Sequence, residues 1–174
     1  MPRTYAAALP TSYVLLRILV ILNWLSGAAI LALLVAMLVA REWTMAALGI
    51  APGSWISPLL LGLEAVAVLG LVAVPINDAV LTRLLAIVET VRRGDPFVGG
   101  NAVRLQAIAW ALLALQLLSM VIGAIGKALS TPAHPLHFDA GFSLSGWLAV
   151  LFTFILARIF TVGAMMREDL EAIV

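Results

Sequence analysis

The chain has 174 residues, 64% hydrophobic and 11% charged, with a mean hydropathy of +1.14; a soluble domain carries about 25% charged residues. That balance excludes a water-soluble enzyme, and four spans of about 20 residues each leave no room for a separate soluble catalytic domain. Ten Lys plus Arg against nine Asp plus Glu give a net charge of +1, no field for nucleic acid, and the lack of cysteine excludes a disulfide framework, thiol catalysis and a Cys-ligated metal.

Four apolar stretches follow in order, at about residues 13–40, 57–76, 102–127 and 144–166, each long enough to cross hydrocarbon as a helix. The alternation of a barrel strand is missing, and only a helix closes its backbone hydrogen bonds within one span. The fold class is therefore all-α, an integral membrane bundle of four transmembrane helices in which residues 1–174 form one domain. Arg3 and Arg17 precede an apolar run from Ile18 to Val39 that is about twice a signal-peptide core, and no small-x-small cleavage site follows, so it reads as a retained first span. Arg41, Glu42, Pro52-Gly53 and Ser57-Pro58 separate it from the second.

The second connection is more than a loop. From Asn77 to Arg93 the apolar residues Leu81, Leu84, Leu85, Val88 and Val91 recur at helical spacing between Asp78, Arg83, Glu89, Arg92 and Arg93. The spacing predicts that the second span continues as a cytoplasmic amphipathic helix, with Pro75 as the place for a bend. Gly94 is placed to cap it, Asp95-Pro96 forces the chain out of helix, and Asn101 reads as the N-cap of the third span. Phe97 and Val98 are then free to anchor the turn in the interface or in a groove. Thr131, Pro132, Pro135 and Gly141 mark the last loop.

Basic residues set the orientation. Arg3, Arg17, Arg83, Arg92, Arg93, Arg104, Arg158 and Arg167 fall on the side of the termini and the second connection, against Arg41 and Lys127 opposite, which predicts that both termini are cytoplasmic.

Polar residues at membrane depth are costly unless paired or wet, so they are the first functional candidates. Counted from the ends of their spans, Asn23 and Arg158 lie equally deep, roughly 13 Å in, and are placed to meet. Glu64 and Gln116 similarly share a depth nearer the external side that permits a carboxylate–amide contact. Glu64 is either a proton-exchanging or cation-binding acid or one half of a structural hydrogen bond, and the structural role is favoured. For Arg158 snorkelling toward headgroups is favoured. His134, His137 and Asp139 could offer nitrogen and oxygen to a divalent metal, but two prolines break their spacing, so a solvated loop is the better reading and no metal or cofactor is expected. No nucleophile elbow, phosphate-binding loop or dinucleotide fingerprint is present, so no enzymatic activity and no direct nucleic-acid contact is expected. Gly62, Gly70, Ala107, Ala111, Ser119 and Gly123 permit close helix approach, within the chain by preference and between copies as a homo-oligomer otherwise.

Gly94-Asp95-Pro96-Phe97, followed by Asn101 and Arg104-Leu105, resembles the corresponding segment of a family of uncharacterised bacterial four-span membrane proteins. Phe152 to Gly163 and the tail Arg167-Glu168-Asp169-Leu170-Glu171 resemble that family's fourth helix and acidic end. The likeness is best in the C-terminal half. Members are often encoded beside a small helix-turn-helix regulator of the Cro/Xre type, which implies a role in holding such a regulator at the membrane until a signal releases it.

The expectation is a non-enzymatic regulatory or accessory protein of the bacterial inner membrane, with the lipid bilayer and a cytosolic protein as its partners. Arg83, Arg92, Arg93, Gly94, Asp95, Pro96, Phe97, Asn101 and Arg104 form the candidate partner-binding set, and Asn23, Glu64, Gln116 and Arg158 the intramembrane polar set. The alternatives are a small proton-coupled oligomeric transporter using Glu64 and a structural subunit of a larger membrane complex.

Overall fold

In hydrocarbon a backbone must satisfy itself locally, and these apolar runs do so as helices. The computed structural model describes residues 3–40, 42–43, 56–130 and 140–171, and gives the backbone alone at 3–10, 56–58, 168, 170 and 171. Among the described residues there are four long helices: α1 (Arg3–Val39), α2 (Ile56–Arg92), α3 (Gly99–Leu129) and α4 (Leu144–Glu171). Each is long and apolar enough to cross a membrane. All four exceed the spans expected from hydropathy. α1 begins ten residues earlier, at Arg3, and α2 runs through Pro75 to Arg92, about 55 Å in all.

The helices pack in chain order. α1 lies against α2, α2 against α3 and α3 against α4, and among the described residues no other pair of helices is in contact. α2 and α3 are therefore the inner pair and supply most of the buried residues, among them Leu60, Ala67, Val74, Leu105, Ile108 and Ala109. Among the described side chains, α1 contributes only Gly27 and Met37 to the buried set and turns most of its apolar surface outward, where lipid is its solvent.

Contacts along each interface fix how the helices line up. Between α1 and α2, Trp24 meets Asp78, and Asn23 and Gly27 both meet Val74. Between α2 and α3, Thr90 meets Asn101 at one end and Gly62 meets Leu129 at the other. Between α3 and α4, Trp110 meets Phe154, and Gln116 packs on Gly146. Stepping equally along neighbouring helices from these pairs brings Arg17, Arg83, Arg104 and Arg158, one on each helix, within about 6 Å of one level along the bundle axis. Lys127 and Glu64 come level with each other about 30 Å away, the thickness of a hydrocarbon core. The arginine level is the edge nearer both termini, and the segment from Arg92 through Gly99 stands outside it.

This alignment corrects two expected pairs. Asn23 and Arg158 do not meet, because α1 and α4 are not neighbours; Asn23 instead donates through Nδ2 to the Val74 carbonyl at 3.0 Å, and Arg158 is exposed with no polar partner among the described residues. Glu64 and Gln116 do not meet either. The Gly62–Leu129 contact sets Glu64 level with Lys127, at the edge of the bundle away from the arginines. Gln116 lies about 16 Å farther in, against the first turn of α4. Of the small residues, Gly62, Gly70, Ser119 and Gly123 all serve contacts within the chain.

Candidate functional site

The turn between α2 and α3 is built from both flanking helices and from α4. α2 ends in Gly94 at φ +82°, a left-handed conformation natural to glycine. Gly94 N–H donates to the Val91 carbonyl at 3.0 Å and Asp95 N–H to that of Thr90 at 3.1 Å, the bond pair of a Schellman cap. The expected capping role of Gly94 holds, and Pro96 keeps the chain from resuming helix.

Asn101 is not the N-cap. α3 begins at Gly99 after an extended Val98 that offers no side-chain cap, and Asn101 sits inside the first turn with no exposed surface. Its amide is committed elsewhere. Nδ2 donates to Thr90 Oγ1 at 2.6 Å and to the Pro96 carbonyl at 2.9 Å, while Oδ1 accepts from Arg104 Nη1 at 2.8 Å. Thr90 in turn donates to the Ile87 carbonyl at 2.7 Å. Both amide hydrogens and the amide oxygen are thus in use, which is what a buried polar side chain requires. The result ties the last turn of α2, the apex of the connection and the first turn of α3 into one unit.

α4 closes the unit from the other side. The Phe97 ring lies 5.3 Å from that of Phe160 and inclined at 34°, and its edge occupies the space beside Gly163, where a Cβ would come within 3.0 Å of Phe97 Cδ1. Asp95 and Arg167 form an ion pair. Phe97 therefore anchors the turn in a groove of its own chain, although 44% of the residue stays exposed.

The basic residues divide by environment. Arg92 and Arg93 both bind Glu89, each at 3.1 Å. The Arg92 guanidinium also stands 5.2 Å from the centre of the Tyr13 ring, and that of Arg17 stands 5.0 Å from it, so α1 joins the assembly through one aromatic ring. Arg83 lies outside the cluster and donates to the Ala79 carbonyl of its own helix at 2.8 Å. Beside the turn, Gly99, Ala102, Val103, Gln106, Thr161 and Met165 line an open groove of about 270 Å³ between α3 and α4.

Thr90, Tyr13, Phe160 and Gly163 were not singled out from the sequence. A hydroxyl one turn from the end of an amphipathic helix, with Asn in the first turn of the next, was the available signal for Thr90. His134, His137 and Asp139 lie outside the described residues, and among the described residues no three His, Asp or Glu side chains gather as a metal site.

These helices, with their apolar belt and arginine edge, define a multi-pass helical membrane protein. Comparison with protein-family models, with curated proteins and with solved structures finds no match to the chain.

Proposed function

We propose that this is a non-enzymatic regulatory or accessory protein of the bacterial inner membrane, whose termini and α2–α3 turn face the cytoplasm and bind a cytosolic protein. The observation that carries the reading is the construction of the turn. A connection of a few residues needs no buried amide, aromatic anchor and ion pair merely to reverse direction, whereas a recognition surface gains affinity when its shape is set before binding. The exposed part of that surface is Arg92, Arg93, Gly94, the outer side of Phe97, Gly99, Gly100 and the groove beside them. The excess of arginine on this face supports the cytoplasmic orientation. The resemblance carried by Gly94-Asp95-Pro96-Phe97 makes a small helix-turn-helix regulator the first partner to seek.

The test uses Gly99, where an added Cβ meets nothing within 4 Å. Gly99→Glu adds negative charge at a helix N-terminus, which the helix tolerates, while altering the proposed surface. Gentle solubilisation from native membranes followed by mass spectrometry should recover a small DNA-binding protein with the wild type and lose it with Gly99→Glu and with Arg93→Glu. An unchanged set of co-purifying proteins would sink the proposal.

A further inference from the structure

Trp24 and Asp78 lie apart from the turn, at the α1–α2 interface. Trp24 Nε1 donates to Asp78 Oδ1 at 2.9 Å. Asp78 is five residues inside Arg83 on α2, and stepping from the Thr90–Asn101 pair sets it level with Leu113, about 13 Å below Arg104. An acid at that depth is expensive, and the indole engages one of its two oxygens; the other has no partner among the described residues. Arg83 does not neutralise it, because its guanidinium is turned to the Ala79 carbonyl. Thr82 does not serve it either, since its hydroxyl donates to the Asp78 backbone carbonyl at 2.7 Å.

The surroundings are open and mostly apolar. Trp24 remains 56% exposed with its N–H engaged, Ile21 one turn away is 60% exposed, and Pro75 and Thr82 stand exposed one turn to either side of Asp78. The site therefore combines one acid and a half-exposed indole beside the exposed side chains of Ile21 and Pro75, facing lipid. With no cluster of three His, Asp or Glu among the described residues, it offers too few ligands for a metal ion. A lipophilic organic cation fits better: the acid balances its charge, the indole face attracts it, and its apolar groups rest against Ile21, Pro75 and the surrounding lipid.

We propose that Asp78 and Trp24 form a binding site for a lipophilic organic cation, entered from within the membrane. The site is separate from the cytosolic docking surface and does not depend on it.

The test measures equilibrium binding of radiolabelled tetraphenylphosphonium to the full chain in nanodiscs of zwitterionic lipid, with tetraphenylborate as an anion of the same shape. The wild type should bind the cation saturably, and Asp78→Asn, which keeps an oxygen for the Trp24 N–H, should weaken binding by at least about tenfold. Trp24→Phe should weaken it by about threefold, and tetraphenylborate should show no saturable component. Equal cation binding by wild type and Asp78→Asn, or uptake that never saturates, would overturn the proposal. If Asp78→Asn does not assemble, Trp24→Phe decides, since unchanged affinity there would also overturn it. A foreign helix that cross-links at Trp24 and blocks the cation would do the same, identifying the site as a protein contact.

Discussion

Asn101 reaches across the turn to Thr90, placing a fully buried amide 2.6 Å from a hydroxyl eleven residues earlier in the chain. Removing it leaves the Pro96 carbonyl and Arg104 without that partner as well. Asn101→Ala should therefore destabilise the protein by about 2–3 kcal/mol, and Asn101→Asp by a similar amount, because a carboxylate cannot supply the two N–H donors. Thermal unfolding in a fixed detergent would check both, and a near-neutral Asn101→Asp would show that the donors are not what matters.

The Asp95–Arg167 pair should behave differently. Its side chains are 37% and 45% exposed, so a double-mutant cycle with alanine should give a coupling of about 0.5 kcal/mol that shrinks as salt is added. Hydrogen exchange in the turn is the more sensitive readout, and should rise in either single variant.

Gln116 and Gly146 make a paired prediction. A Cβ on Gly146 would collide with Gln116 Oε1, while Gln116 Nε2 is buried with no acceptor among the described residues. Gly146→Ala alone should cost about 2 kcal/mol. Gln116→Leu, which removes the unsatisfied donor, should be neutral or stabilising by about 1 kcal/mol. Gln116→Ala should largely rescue Gly146→Ala, and thermal unfolding of the three single variants and the double variant tests this directly.

The alignment of the helices can be tested by labelling, because the natural chain contains no cysteine. A single cysteine at Lys127 and one at Gly99 should react with a membrane-impermeant maleimide from opposite sides of the membrane. A cysteine at Leu113 should react from neither. Strong labelling at Leu113 from water would displace Asp78 from hydrocarbon depth along with it.

Much of the fold was legible because hydropathy reports how much apolar chain there is and where charge interrupts it. Four helices and their order follow from that signal, and the cap at Gly94 follows from a glycine set just before Asp95-Pro96. Register does not, because lipid-facing and helix-facing positions are both apolar and carry no contrast. Ending the apolar crossing at residue 76 and assigning the rest of the helix to the cytoplasm left out the depth of Asp78, which only the contacts between neighbouring helices reveal. The turn was partly legible for a similar reason. Asn101 stood out as a polar residue at a helix start, but its partner Thr90 sits in an amphipathic stretch where a hydroxyl attracts no notice, and Phe97 gave no sign that its groove belongs to α4.

The serial packing of α1 on α2, α2 on α3 and α3 on α4 bears on how the chain is made. Every helix after the first has its partner immediately upstream, so each contact can form while the next segment is still being synthesised, without waiting for distant parts of the sequence. Such a protein can be assembled by addition, as a stack grows. A stop after α3 would leave both partners of the α1–α2 and α2–α3 interfaces in place and remove only the contacts that α4 makes with α3 and with the turn.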